Sequence, residues 1–218
     1  MWQADEVVRF ISDCIKYGVK AVSFGGGEPF EYAGIFDIIS TLKSNIFISV
    51  TSNGLPLLHD NIFNKLLENK PDKIHFTIHN PEIIDEVNNV LFLIDKLYDS
   101  DIKTGVNLLI SASKIKDAHT CTNTLYKNGL TPDRIIFIPQ KYNDIPTPKQ
   151  IAYVASTPQF QSPGCLTTCT PGKRFCSVSW DKKVNFCSYS PSKQTLEELT
   201  YMGLMNALNK IKFKSCLI

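Results

Sequence analysis

The sequence predicts an α/β fold built on a parallel sheet, and three observations carry that expectation. Short runs of β-branched and aromatic residues alternate with longer segments whose apolar residues recur at helical spacing. Each gap between successive strands is long enough for a helix, the connection that parallel neighbours need. Five strands can be read this way in the first two thirds of the chain, and right-handed crossovers would set them side by side in one sheet.

The first helix covers residues 5–18, where Val7, Val8, Ile11, Cys14 and Ile15 form one stripe and Gly18 supplies a stop. A strand at 20–24 leads to a helix near 32–43, carried by Ala33, Phe36, Ile39 and Leu42. The strand at 46–51 precedes a helix near 60–69 with Ile62, Phe63, Leu66 and Leu67 on its apolar face. After the strand at 73–78 comes the clearest period in the chain, residues 82–98, with Ile83, Val87, Val90, Leu91, Ile94 and Leu97 aligned. A strand at 105–110, a helix at 115–128 closed by Gly129, and a strand at 134–138 complete the alternation. Pro146, Pro148, Pro158 and Pro163 then mark a connector around a short helical stretch near 149–155. In the tail, residues 174–180 and 184–188 read as two short strands joined at Asp181, Lys182 and Lys183, and residues 196–208 as a last helix. The expected division is therefore 1–142, a connector at 143–163, and a cysteine-rich extension at 164–218.

A chain of 218 residues holds one barrel-sized domain, or a domain with a small appendage. Its 43% hydrophobic and 20% charged residues suit an ordinary globular protein, and a net charge of +2 gives no electrostatic case for nucleic acid or anionic membrane. No run approaches the roughly 18 apolar residues of a membrane span. The N-terminus is acidic and helix-patterned at Asp5 and Glu6, unlike a signal or transit peptide, so the expected location is cytoplasmic. Of seven cysteines, Cys165, Cys169, Cys176 and Cys187 cluster, which in a cytosolic protein points to metal before disulfide. Cys14 and Cys121 fall in helical patterns as small buried hydrophobes, while Cys216 is left open.

The most telling motif is Gly25-Gly26-Gly27-Glu28-Pro29, at the carboxyl end of the first strand. Open α/β and barrel folds bind ligands at such strand ends, and glycine lets a ligand approach the main chain. Thr51-Ser52-Asn53-Gly54 ends the second strand, although Asn and Gly there are also turn residues. Together these segments resemble the Gly-Gly-Glu-Pro motif and following strand end of radical S-adenosylmethionine enzymes. A GxGxxG dinucleotide site fits less well, since the third glycine and the acidic ribose ligand are not in place.

That resemblance covers roughly residues 5–140 and implies a partial (β/α)6 TIM-like barrel lacking its first strand. It implies that Gly25, Gly26, Gly27, Glu28 and Pro29 meet the methionyl group of S-adenosylmethionine, with Ser52, Asn53 and Thr77 at the ribose and carboxylate. His79 reads as a capping or loop residue before Asn80-Pro81, and Asn107 as either barrel-facing or a satisfied buried amide. The tail resembles the SPASM and twitch extensions of the same enzymes, which implies an auxiliary iron-sulfur cluster. Cys169 and Cys187 match best, with Cys165, Cys176 or Cys216 completing the set, and Lys182-Lys183 stands where a turn glycine is expected. Zinc held by four thiolates and unligated thiols are the alternatives.

The resemblance also implies a Cys-x-x-x-Cys-x-x-Cys loop for a catalytic [4Fe-4S] cluster, placed before the first helix read here, and these residues contain no such triplet. The expectation is a shortened radical S-adenosylmethionine protein that does not by itself cleave the cofactor. A degenerate homologue serving as a binding or scaffold module, or an α/β domain with a zinc-stabilised tail, are the alternatives. Implied partners are a peptide or protein substrate and an electron donor, with neither nucleic acid nor membrane.

Overall fold

A computed structural model describes residues 2–163 and 175–212. Five parallel strands in the order β1-β2-β3-β4-β5 form the main sheet: Ala21–Phe24, Phe47–Ser52, Lys73–Ile78, Lys103–Ile110 and Ile135–Pro139. Helix α1 at Ala4–Lys16 precedes β1, and the helices between the strands are α2 at Ile35–Leu42, α3 at Asp60–Glu68, α4 at Ile84–Lys96 and α5 at Ile115–Lys127. Each of β1 to β4 is followed by a crossover helix and pairs with the next strand, so the sheet curls into a half-barrel as the alternation requires.

Strand alternation separates two faces. Ile48 and Val50 on β2, Ile74, Phe76 and Ile78 on β3, Val106, Leu108 and Ile110 on β4, and Ile135 and Phe137 on β5 are wholly buried. They pack against the apolar stripes of the helices, among them Ile38, Ile39 and Leu42 of α2, Leu66 of α3 and Leu93 of α4. The register sets the opposite, concave face: Ser23 lies beside Ser49, Thr51 beside His75, His75 beside Gly105, and Thr77 beside Asn107. This wall carries hydroxyl, imidazole and amide groups, with Leu109 of β4 and Ile136 and Ile138 of β5 on the same side.

Several boundaries differ from the periodicity. Helix α2 begins at Ile35 because Pro29–Glu31 forms a separate 3-10 turn capped by Glu28. Helix α6, Pro148–Ala155, starts in a capping box in which Thr147 and Gln150 exchange bonds, and Phe137 of β5 donates to Gln161 O beyond it. In the tail, β6 (Ser177–Val178), β7 (Lys183–Asn185) and β8 (Gln194–Thr195) form an antiparallel sheet. The last helix, α7, runs only from Tyr201–Asn209, since Thr195 is used in β8 and Thr200 caps Gly203 N.

The tail packs onto α1. Trp2 Nε1 donates to Ser179 O at 3.0 Å, and Tyr201 N donates to Asp13 Oδ2 at 2.9 Å. The rings of Tyr17 and Tyr201 stack at 4.4 Å, and Lys182 Nζ meets both carboxylate oxygens of Glu6 at 2.8 and 2.9 Å.

Candidate functional site: the mouth of the half-barrel

The first loop of the mouth is shaped by glycine. Gly26 and Gly27 take φ of +84° and +60°, where a Cβ is strained, and a Cβ built on either would meet nothing within 4 Å. The main chain of the turn is thus bare toward open space. Gly25 has no such φ, and its Cβ would make an ordinary 3.6 Å contact with Thr51 Cβ.

Glu28 holds this turn to the next strand. Its Oε1 accepts from Phe30 N at 3.1 Å and from Ser52 Oγ at 2.8 Å, and its Oε2 accepts from Asn53 N at 2.8 Å. A carboxylate offers about four acceptor positions, so most are spoken for by the protein. Ser52 Oγ in turn accepts from Gly54 N at 2.9 Å, and Asn53 Oδ1 from Leu55 N at 2.8 Å. Gly54 lies at φ +82°, and a Cβ there would stand 2.7 Å from Leu93 Cδ1. Ser52-Asn53-Gly54 is therefore a tight turn whose polar groups receive Glu28.

The remaining loops are braced in the same manner. Glu86 of α4 accepts from His79 N, Asn80 N and Asn80 Nδ2, leaving the His79 ring exposed at 3.7 Å from the carboxylate. Lys114 pairs with Glu82 across the loops after β3 and β4, which lowers the carboxyl pKa and raises the ammonium pKa. Asp144, at φ +57°, accepts from Ser113 N at 2.8 Å and from Ser113 Oγ, joining the loop after β5 to that after β4. A rim stitched by carboxylates stays in one geometry, which favours a pre-formed ligand site.

Inside the mouth, Thr77 is half-buried on β3 and Asn107 lies beside it on β4. Asn107 Oδ1 is 3.0 Å from His75 Nδ1, and both residues are 7% exposed. Burial foremost, then the charge of Lys73, lowers the His75 pKa, against a smaller opposite effect of the Asn107 hydrogen bond.

His75, Glu86 and Asp144 were not among the residues expected at the site. His75 had a signal, as the polar residue between Ile74 and Phe76 on a strand. Glu86 and Asp144 sit in helix and loop with no local pattern to mark a brace.

Of the tail cysteines, Cys165, Cys169 and Cys216 lie outside the described residues. Cys176 is half-buried with its thiol pKa raised by burial, and Cys187 is partly exposed. Cys14 and Cys121 are buried in the core, and burial pushes their thiols up to about 11 and about 12. Among the described residues no three His, Cys, Asp or Glu side chains are grouped to hold a metal ion.

The half-barrel with its glycine turn and braced rim belongs to the α/β class built on a parallel sheet. Residues 2–138 match the Radical SAM superfamily, and the chain belongs to it. Two curated relatives, both GTP 3',8-cyclases of Clostridium perfringens, are 26% identical over 136 residues and 30% identical over 122. These alignments cover 58% and 52% of the chain and 42% and 38% of the relatives, so the chain spans about four tenths of their length.

Solved structures share the fold. Streptococcus suis SuiB bound to S-adenosylmethionine superposes with a TM-score of 0.64 at 13% identity, covering 89% of this chain and 56% of SuiB. The protein anSMEcpe with bound AdoMet and the Kp18Cys peptide gives 0.63 at 14%, covering 93% and 72%. SuiB was also solved with its precursor peptide SuiA.

Among the described residues no helix is long and apolar enough to cross a membrane.

Proposed function

We propose that this chain forms the S-adenosylmethionine-binding part of a radical S-adenosylmethionine protein that modifies a peptide. The observation that carries the reading is the Gly26-Gly27 turn, left-handed and open above its main chain, and held by Glu28 to Ser52 and Asn53. In this reading the exposed backbone of residues 25–28 takes the polar end of the cofactor, with Ser52, Asn53 and Thr77 lining the rest.

When bound beside a reducing iron-sulfur cluster, the cofactor supplies a 5'-deoxyadenosyl radical that abstracts hydrogen from substrate. The chain's own residues supply position: Glu28 orients the turn, and the stitched rim keeps the concave wall in place. The three-cysteine ligand set for that cluster is not found in these residues, so electron delivery falls to groups outside them. The tail cysteines Cys165, Cys169, Cys176 and Cys187 are read as ligands of an auxiliary cluster, with zinc as the competing occupant.

A peptide substrate is favoured because the peptide-bound structures match most of this chain, whereas the cyclase alignments cover little beyond half of it. The cyclases support a second reading, a guanine nucleotide substrate. Thermal denaturation with saturating S-adenosylmethionine tests the cofactor assignment, since a ligand at 100 times its Kd stabilises by about 2.7 kcal/mol. A rise in Tm of several degrees is expected; no rise in folded protein overturns the reading. A further rise with GTP, absent with ATP, would instead favour the nucleotide substrate.

A further inference from the structure

The His75 ring is the one buried polar side chain among the described residues with an atom left unsatisfied: Nε2 has no hydrogen-bond partner. Such atoms are rare in folded proteins and call for a reason. Three features of its surroundings supply one. The ring lies on the concave face of β3 between Thr51 and Gly105. Gly105 makes the space, since a Cβ there would stand 2.6 Å from His75 Nε2 and 2.8 Å from the Arg134 carbonyl oxygen. And Nδ1 is turned to Asn107 Oδ1 at 3.0 Å.

An amide oxygen only accepts, so Nδ1 carries the proton and Nε2 is the bare nitrogen. A buried bare acceptor is tolerated better than a buried orphan N–H. Burial and Lys73 both disfavour the cation, which favours the neutral ring. With Oδ1 occupied, the NH2 group of Asn107 points away from His75 and has no hydrogen-bond partner among the described residues. It is not among the fully buried unsatisfied atoms, so it reaches solvent, and on β4 it lies beside Thr77 on the concave wall.

We propose that His75 is a positioning residue that fixes the Asn107 carboxamide with its NH2 group turned into the half-barrel, where it donates to an oxygen of the bound ligand. The ring does not touch the ligand. Without it the carboxamide is free to flip, and the mouth then presents an acceptor as often as a donor. This inference rests on the S-adenosylmethionine reading for the identity of the ligand, but the geometry of the pair does not.

Two measurements separate these parts. Nitrogen-15 spectra of the ligand-free protein report the tautomer of His75, with His75→Asn used to assign its signals. The expected result is a neutral ring protonated at Nδ1 at pH 7; protonation at Nε2, or a charged ring, overturns the proposal. The second measurement is S-adenosylmethionine affinity by calorimetry, with the fold of each variant checked by its Tm. His75→Asn places an amide NH2 where Nδ1 stands and is expected to bind within about threefold of the unaltered protein. His75→Leu, which fills the space without a donor, is expected to bind about tenfold or more weakly, a change of about 1.4 kcal/mol. Equal affinity for His75→Leu, or equal loss in both variants, overturns the positioning role. If the unaltered protein binds no S-adenosylmethionine, the functional reading and the choice of ligand both fall, while the tautomer still decides the geometry.

Discussion

Ser52 Oγ donates to Glu28 Oε1 at 2.8 Å, and this bond ties the glycine turn after β1 to the end of β2. The same carboxylate takes Phe30 N and Asn53 N, so one side chain sets the geometry of two adjacent loops.

Glu28→Gln replaces one acceptor oxygen with a donor and leaves either Ser52 Oγ or Asn53 N facing an NH2 group. A loss of about 1–3 kcal/mol is expected. Chemical denaturation of Glu28→Gln, Ser52→Ala and the double variant checks it: the two losses should be less than additive, because both remove the same bond.

The glycines should separate by conformation. Gly26→Ala is expected to destabilise by roughly 1–2 kcal/mol from the left-handed φ alone, or a few degrees in Tm. Gly25→Ala, whose Cβ meets Thr51 at an ordinary distance, should leave the Tm within about 1 °C. Equal effects at the two positions would contradict the account of the turn.

The fold was legible because its signals are local and repeated: the strands and helices of the half-barrel follow from apolar periodicity, with glycine stops after α1 and α5. The motif Gly25 to Pro29 was legible as a ligand turn, but the use of Glu28 as a brace was not, since its partners Ser52 and Asn53 are distant in sequence. His75 escaped notice because its meaning depends on Gly105 and Asn107 of the next strand. Strand β8 escaped because Gln194 and Thr195 carry no alternation, and pair only through the backbone of β7.

Lys182 takes the left-handed position in the turn of the tail hairpin. It adopts φ +57°, and its ammonium reaches Glu6 and lies 5.0 Å from the centre of the Trp2 ring. Lys182→Gly removes the backbone strain and the ion pair together; Lys182→Met removes the pair and keeps the strain. Lys182→Met is therefore expected to be the less stable of the two by thermal denaturation.

Tail docking should weaken in acid. The Lys182 hydrogen bond foremost lowers the pKa of Glu6 below 4.5, and the Tyr201 amide foremost lowers that of Asp13 below 3.8. A carboxylate with a depressed folded pKa stabilises above its unfolded value and loses that contribution as pH falls through the folded one. Emission from Trp2, read in Trp180→Phe, is expected to stay constant from pH 7 to about 5 and to shift to the red below about 4.

If the tail cysteines hold an auxiliary cluster, anaerobic reconstitution should give iron and sulfide in equal amounts, lost in Cys187→Ala. Stoichiometric zinc without iron would assign the tail to a structural metal instead.

The central claim is that the open Gly26-Gly27 main chain binds S-adenosylmethionine. Equilibrium dialysis with labelled cofactor tests it most directly, comparing the unaltered protein with Gly27→Val and with Lys182→Met, which lies on the tail. The account predicts saturable binding of one equivalent, weakened at least tenfold in Gly27→Val and unchanged in Lys182→Met. Undiminished binding by folded Gly27→Val, or no saturable binding by the unaltered protein, would contradict it.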